Sequence, residues 1–229
     1  MSIQEKAADI NPKALARAPR PMLVAVPQGG LHPAANSPAK RALDLFVAIP
    51  ALIVLAPVML AIAALIAFDS RGPVFFRQTR TGLNGRLFDI LKFRTMHVCE
   101  NGDRIEQAHK NDPRVTRVGR FLRRTSLDEL PQLINVIDGE MSLIGPRPHA
   151  LAHDRLYTRL IENYAIRQRV KPGISGWAQV NGHRGETPAP ADMRARVEHD
   201  LWYVRHQSFT LDLSIILRTA FEIFRRKVW

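Results

Sequence analysis

Apolar and polar positions divide the chain into stretches of different character. Residues 1–39 mix Ala, Pro and small polar residues without a sustained period, which predicts a disordered tail. Residues 45–68, LFVAIPALIVLAPVMLAIAALIAF, carry no charge at all. A hydrocarbon core of ~30 Å needs ~20 helical residues, and this run is long enough. It begins too late and is too long for the apolar core of a signal peptide, which spans ~7–15 residues. A buried helix of a soluble protein is the competing reading, and the uniform apolarity counts against it. VFFRQTR and RLFDILKFRTM then alternate with a period of two around TGLNG, whose Asn84-Gly85 pair signals a hairpin. Lys92 and Arg94, two apart, are expected on one face of the second strand.

Further on, residues 99–111 are polar and read as loop or short helix. Arg114, Arg117, Arg120 and Arg123 recur every third residue, a basic stripe along a helix. VKPGISGWAQVNG predicts a Pro172-Gly173 turn leading into a strand that carries Trp177. The last segment, FTLDLSIILRTAFEIFRRKVW, places Leu213, Ile216, Leu217, Ala220 and Phe224 on one helical face. Arg225, Arg226, Lys227 and Trp229 close it, the pattern of a helix lying in a membrane interface.

Charge decides how the apolar run meets a bilayer. Lys6, Lys13, Arg17, Arg20, Lys40 and Arg41 precede it, and Arg71, Arg77, Arg80 and Arg86 follow it. With both flanks basic, the positive-inside tendency holds both on the cytosolic side. Pro57 lies near the middle, where its ring removes a helical hydrogen bond and can kink the helix. A re-entrant helix–break–helix over residues 40–70, broken at Pro57, satisfies both facts. The fold expected is therefore α+β and mainly helical: a monotopic protein with a re-entrant element, a small hairpin and an interfacial helix. Residues 71–208 would form the cytosolic domain and residues 209–229 the interfacial helix.

The chain of 229 residues has a formal net charge of +12 and a pI of about 10.8, so an anionic partner is expected. Nucleic acid, anionic lipid and phosphorylated substrates all fit that charge. Cys99 is the single cysteine, which excludes an internal disulfide and suits a reducing compartment. His149 and His153 stand four apart, a spacing that suits a metal pair but lacks a third ligand.

The densest chemistry lies in GRFLRRTSLDELPQLINVIDGEMSLIGPRP, residues 119–148. Asp128-Glu129 sits between Arg123-Arg124 and Arg147. Ser126 reads as a helix N-cap with Glu129 closing a capping box, which puts both carboxylates in the first turn. Pro131 is more comfortable at a first helical position, so a later start with the acids on the approach turn is the other reading. The two prolines of GPRP restrict the backbone of Arg147, a side chain able to clamp a phosphate. The same residues could also make an ordinary helix start and a surface ion pair worth ~0–1 kcal/mol. An acid pair, flanking arginines and a stiff arginine loop in one segment favour phosphoryl transfer.

From Lys40 onward the chain resembles the bacterial sugar transferases, the small monotopic polyprenyl-phosphate phosphoglycosyl transferases. KRALD, DSRGPVFFRQTRTG, LKFRTM, the segment from DPRVTRVG to GPRP, and VKPGISGWAQVNG carry the likeness in order. The resemblance implies transfer of a sugar-1-phosphate from a UDP-sugar to undecaprenyl phosphate, with release of UMP and use of Mg²⁺. It makes Asp128 the nucleophile and Glu129 the Mg²⁺ contact, with Asp128 also near the metal. It maps the family's strand lysine to Lys92 and two of its arginines to Arg123 and Arg147, all toward substrate phosphate; Arg94, Lys171 and Gln179 are further candidates for holding substrate or phosphate. The family's re-entrant break often carries Ser-Pro; here the pair is Ala56-Pro57. NGHRGET, residues 181–187, looks like the glucose-transferring branch, with galactose relatives close. The implied setting is the cytosolic face of the inner membrane, at the start of exopolysaccharide, capsule or O-antigen synthesis. Downstream glycosyltransferases are implied partners, and a homodimer is left open. A membrane-anchored glycosyltransferase that releases UDP and a non-enzymatic assembly scaffold are the alternatives. No nucleic-acid partner is expected, because a binder has no need of Asp128 among arginines.

Overall fold

The computed structural model describes residues 37–97, 112–185, 187 and 189–225. The tail before residue 37, the polar stretch 98–111 and the closing Arg226, Lys227 and Trp229 lie outside the described residues. The architecture is α+β, mostly helical, with two small two-stranded sheets and one long apolar helix.

That helix, α1, runs over Pro38–Asp69. Ser37 caps it by accepting the Lys40 N–H, and Pro38 occupies the first turn, where a missing N–H costs nothing. The interruption expected at Pro57 is absent: α1 continues through both Pro50 and Pro57. Each proline deletes one backbone bond, and the apolar turns on either side keep the rest of the ladder intact. One stripe of α1 is buried, through Ala48, Met59, Ile62 and Ile66. The opposite stripe is bare, with Phe46 79% and Phe68 91% exposed. Only 17% of its most apolar window is buried, so α1 is not the enclosed core helix of a soluble domain.

Both ends of α1 dock on the same body. At the start, Lys40 Nζ pairs with Asp212 (2.6 Å) and donates to Ile144 O, while Asp44 accepts from Ser142 Oγ and Leu143 N. Arg41 donates to the carbonyls of Val136 and Ile137. At the far end, Asp69 accepts the Val118 N–H, and Arg94 donates to the carbonyls of Ser70 and Arg71.

β1 (Phe75–Thr81) and β2 (Leu87–Phe93) form the hairpin, with Phe75 opposite Phe93 and Thr81 opposite Leu87. Asn84 and Gly85 both take positive φ, as the turn requires. On β2, Phe88 and Ile90 face a core shared with α1 and α3 (Gln132–Asp138), and Lys92 continues that face. Arg94 does not share it. The strand ends at Phe93, and the Arg94 side chain turns to Ser70 and Arg71.

α2 (Arg117–Thr125) starts at Thr116, whose hydroxyl accepts the Gly119 N–H. It crosses the end of β2 so closely that a Cβ on Gly119 would lie 2.1 Å from Thr95 O. The arginine stripe is shorter than expected. Arg114 precedes the helix and pairs with Asp112, and Arg123 turns inward to Thr95. β3 (Ser142–Ile144) pairs in parallel with β4 (Gly173–Ser175). Trp177 is not on a strand: it opens the short helix α5 (Trp177–Val180), with the extended Gly176 ahead of it. α4 (Leu151–Leu160), a 3₁₀ stretch (Tyr164–Arg169) and α6 (Pro190–His206) complete the domain.

α7 (Phe209–Arg225) buries Asp212 and Ile215 and packs Leu211 and Ile216 against the core. Phe209, Leu213, Leu217 and Phe221, at intervals of four, remain exposed. The outward apolar ridge thus keeps Leu213 and Leu217 of the expected face but turns Ile216 inward. The side chain of Phe224 lies outside the described residues.

The Lys40–Asp212 pair joins α1 to α7 with both side chains nearly free of solvent contact. Asp212→Ala would strand a buried ammonium, which typically costs about 3–5 kcal/mol. We expect a matching loss in denaturant unfolding of the detergent-solubilised protein. Lys40→Met/Asp212→Leu together should recover most of it, because the stranded charge is gone.

Candidate active site

The acidic turn is made by a reversal at Ser126. That residue is left-handed (φ 58°, ψ 17°) and ends α2, its N–H meeting the carbonyls of Arg123 and Leu122. The N-cap and capping box expected at Ser126 therefore do not form, since its side chain caps nothing. Leu127–Glu129 is a 3₁₀ turn, and Pro131 leads into α3. The later helix start holds, with the acids on its approach. Leu127 and Leu130 pack into the cluster under α1, so Asp128 and Glu129 between them are turned the other way.

Glu129 is clamped. Lys92 Nζ donates to Oε1 (2.8 Å), Arg147 Nη1 donates to Oε2 (3.1 Å), and Arg147 Nη2 closes a second contact to Oε1. Burial pushes the Glu129 carboxyl up, but the charges of Arg147 and then Lys92, with their hydrogen bonds, hold it well below the usual range. The same contact, led by the Glu129 charge, raises Arg147. Burial lowers Lys92, with Glu129 opposing that effect.

Asp128 differs in kind. No donor among the described residues bonds its carboxylate. Burial and then the neighbouring Glu129 charge raise its pKa from 3.8 to about 6, against the pull of Lys92, Arg123 and Arg147. Arg123 approaches from α2, its Nε on Thr95 Oγ1 (2.9 Å). The turn thus holds a carboxylate fixed by cations beside one that is unbonded and nucleophilic when ionised.

Arg147 owes its position to the chain around it. Gly145 lies against the Lys171–Gly173 backbone so tightly that a Cβ would sit 2.3 Å from Lys171 O. Arg167 Nη2 donates to Arg147 O (2.6 Å) and to Asp200 (2.7 Å), while Arg80 Nη1 reaches Pro148 O (3.3 Å). His149 faces inward, Nδ1 against Tyr164 OH (2.7 Å) and Arg167 Nη1 (3.0 Å), while His153 lies edge-on to Tyr157. Burial, then Arg167, holds the His149 imidazole well below its usual pKa.

Asp128, Glu129, Lys92, Arg123 and Arg147 therefore converge. Arg94 is spent on the end of α1. Lys171 stands near Arg41, Asp44 and Lys40 at the start of α1. Gln179 donates to Ile174 O, and its buried Oε1 has no hydrogen-bond partner among the described residues. Three arginines of this region escaped sequence reasoning. Arg80 shares strand parity with the buried Gln78, a signal that was present. Arg184, bonded to Ser126 Oγ (2.8 Å), sits between two glycines of NGHRGET. Arg167 gave no signal, since its role depends on a loop twenty residues away in sequence.

A divalent cation needs oxygen donors. No group of three His, Cys, Asp or Glu suited to a metal occurs among the described residues. Mg²⁺, however, is often held by one or two carboxylates together with substrate phosphates. The unbonded Asp128 fits that donor set, and Glu129 fits by exchanging one of its cation contacts.

The raised pKa of Asp128 has a stability consequence. The folded state binds its proton more tightly than the unfolded chain does, so this contribution is complete below about pH 3.8 and is lost as pH rises through about 6. In metal-free buffer, Asp128→Asn should match the parent melting temperature at pH 4 and exceed it by several degrees at pH 7. A thermal-melt series across that range checks this.

A family profile described as bacterial sugar transferase matches residues 35–226. The UDP-glucose:undecaprenyl-phosphate glucose-1-phosphate transferase of Escherichia coli (strain K12) is 53% identical over 188 residues, which is 82% of this chain and 40% of that protein. The chain thus spans well under half the length of that relative. A Caulobacter vibrioides protein of the same name is 49% identical over 199 residues, 87% of this chain and 74% of its own. The exopolysaccharide production protein PSS of Rhizobium leguminosarum bv. phaseoli is 48% identical over 186 residues, 79% of this chain and 92% of its own. A match running from the start of α1 to the end of α7 takes in every element that builds the acidic turn and its clamp, and on that extent the chain belongs to the bacterial sugar transferase family.

Proposed function

We propose that this protein transfers a sugar-1-phosphate from a UDP-sugar, with glucose favoured, to undecaprenyl phosphate and releases UMP. The observation that carries this reading is the unequal carboxylate pair: Asp128 unbonded, Glu129 fixed by Lys92 and Arg147. The names of the Escherichia coli and Caulobacter relatives supply the substrate class, and the Rhizobium relative supplies the setting of exopolysaccharide production.

In the proposed route an Asp128 oxygen attacks the phosphorus next to the sugar. The bond to the bridging oxygen of the diphosphate breaks, and UMP leaves with that oxygen. The sugar-phosphate is then an acyl phosphate on Asp128. A phosphate oxygen of undecaprenyl phosphate attacks the same phosphorus and expels the carboxylate. Lys92, Arg123 and Arg147 neutralise charge on the diphosphate as it shifts to the leaving group. Glu129 keeps Lys92 and Arg147 in register, and Arg167 holds the carbonyl of Arg147. Mg²⁺, when bound by Asp128 and Glu129 with substrate phosphates, supplies further charge neutralisation.

The lipid acceptor requires a site at the bilayer. The bare stripe of α1 and the apolar ridge of α7 support association with one leaflet. Lys40 and Asp69, at opposite ends of α1, both bond to the catalytic body. That supports a placement with both ends of α1 on the cytosolic face, since a spanning helix would part them by the ~30 Å of the hydrocarbon core.

Two measurements test these statements. Incubation with UDP-glucose and no lipid acceptor should yield a hexose-phosphate adduct mapped to Asp128 by mass spectrometry, together with UMP. Asp128→Asn should abolish the adduct and lower turnover by several orders of magnitude. Release of UDP, or UMP formed only with acceptor and never an adduct, overturns the covalent route. For topology, Asn36→Cys and Asn84→Cys in a Cys99→Ser background should both resist labelling from outside intact spheroplasts; labelling of either one overturns that placement.

A further inference from the structure

Between α5 and α6 a loop stands out from the body at Gly182 and Gly185. Both glycines take positive φ (91° and 101°), and a Cβ on either would meet nothing within 4 Å. The buried Arg196 of α6 holds this loop from beneath: its Nε donates to His183 O (3.1 Å) and its Nη2 to Gly185 O (2.7 Å). The two carbonyls flank residue 184, so the loop is pinned on both sides of that residue and free above it.

The side chain so presented is Arg184. Its Nη2 donates to Ser126 Oγ (2.8 Å) across 58 residues of sequence, in a solvent-exposed bond. Ser126 is the left-handed residue that turns the chain into the acidic pair two positions later. The guanidinium stands close enough to Glu129, Arg147 and Asp128 for their charges to act on it. Its other donors have no partner among the described residues. Lys92 and Arg147 are already occupied by Glu129, whereas Arg184 holds only a neutral hydroxyl. An exposed hydroxyl offers the guanidinium no counter-charge, whereas an anionic oxygen adds a charge–charge attraction to the hydrogen bond.

We propose that Arg184 is a substrate-binding residue, a cation carried by the loop of residues 181–185 that leaves Ser126 and takes a diphosphate oxygen of the nucleotide at the acidic turn. This rests on the phosphosugar-transfer reading for the identity of the diphosphate. The two glycines provide the backbone freedom for a short swing, and Arg196 limits it by keeping the loop over the site. Ser126 holds the guanidinium in place until the anion arrives.

The test uses the full chain in detergent and reads binding and turnover separately. Calorimetric titration with UDP, which lacks the sugar, measures binding alone. Arg184→Gln is expected to raise the Kd for UDP and the KM for UDP-glucose about 10- to 100-fold, the equivalent of one charge-assisted hydrogen bond. Arg184→Lys should recover part of the loss. Unchanged UDP affinity in Arg184→Gln overturns the proposal. So does a loss that Arg184→Lys fails to recover at all, which would mean that the shape of the side chain braces the turn and its charge binds nothing. Melting curves identify a misfolded Arg184→Gln, in which case Arg184→Ala takes its place, and UDP affinity unchanged there overturns the proposal. If the parent releases no UMP from UDP-glucose, the transfer reading fails, while weaker UDP binding by Arg184→Gln still supports Arg184 as a diphosphate ligand.

Discussion

Everything at the acidic turn depends on Glu129 being held from two sides. Lys92 comes from a strand 37 residues before Glu129, and Arg147 from a loop between two prolines 18 residues after it. The clamp draws hairpin, turn and loop into one unit. It also sets the chemistry of the neighbour: with Glu129 fixed as an anion, its charge joins burial in making Asp128 harder to ionise. Two carboxylates side by side thus acquire different properties from their partners rather than from their own identities.

The clamp in turn depends on close backbone approach. Gly119 admits α2 against the end of β2, which brings Arg123 to Thr95 and toward Asp128. Gly145 lets the arginine loop lie on the segment before β4, and Arg167 fastens it from behind through Asp200. The cations thus sit on backbone that has little room to shift, so in the proposed reaction they would meet a phosphate with little rearrangement.

Local patterns in the sequence carried much of this. Alternation and Asn-Gly located the hairpin, and the clustering of Asp128, Glu129, Arg123 and Arg147 within 25 residues marked side chains that the structure brings together. Spacing failed where a tertiary contact overrode it. Ser126 has the sequence of an N-cap but ends the preceding helix, because the chain must reverse to bury Leu127 and Leu130. Arg94 has the parity of Lys92 but follows the last strand residue, and the end of α1 claims it. Pro57 has the chemistry of a break, yet the helix continues through it. Arg184 and Arg167 act through contacts 58 and 20 residues distant, which no short window contains.

The way α1 is held has a practical corollary for handling the protein. A conventional membrane anchor is a tether, and cutting it leaves a soluble enzyme. Here the apolar helix supplies Ala48 to the cluster around Phe88 and Met141, and Met59, Ile62 and Ile66 to the one around Phe93 and Leu122. Those clusters lie directly under Lys92 and the acidic turn. Excising α1 would open the interior of the body it docks on, so the chain has no core that could be trimmed free of its apolar helix, and a medium that shields the bare stripe of that helix would have to accompany the protein throughout.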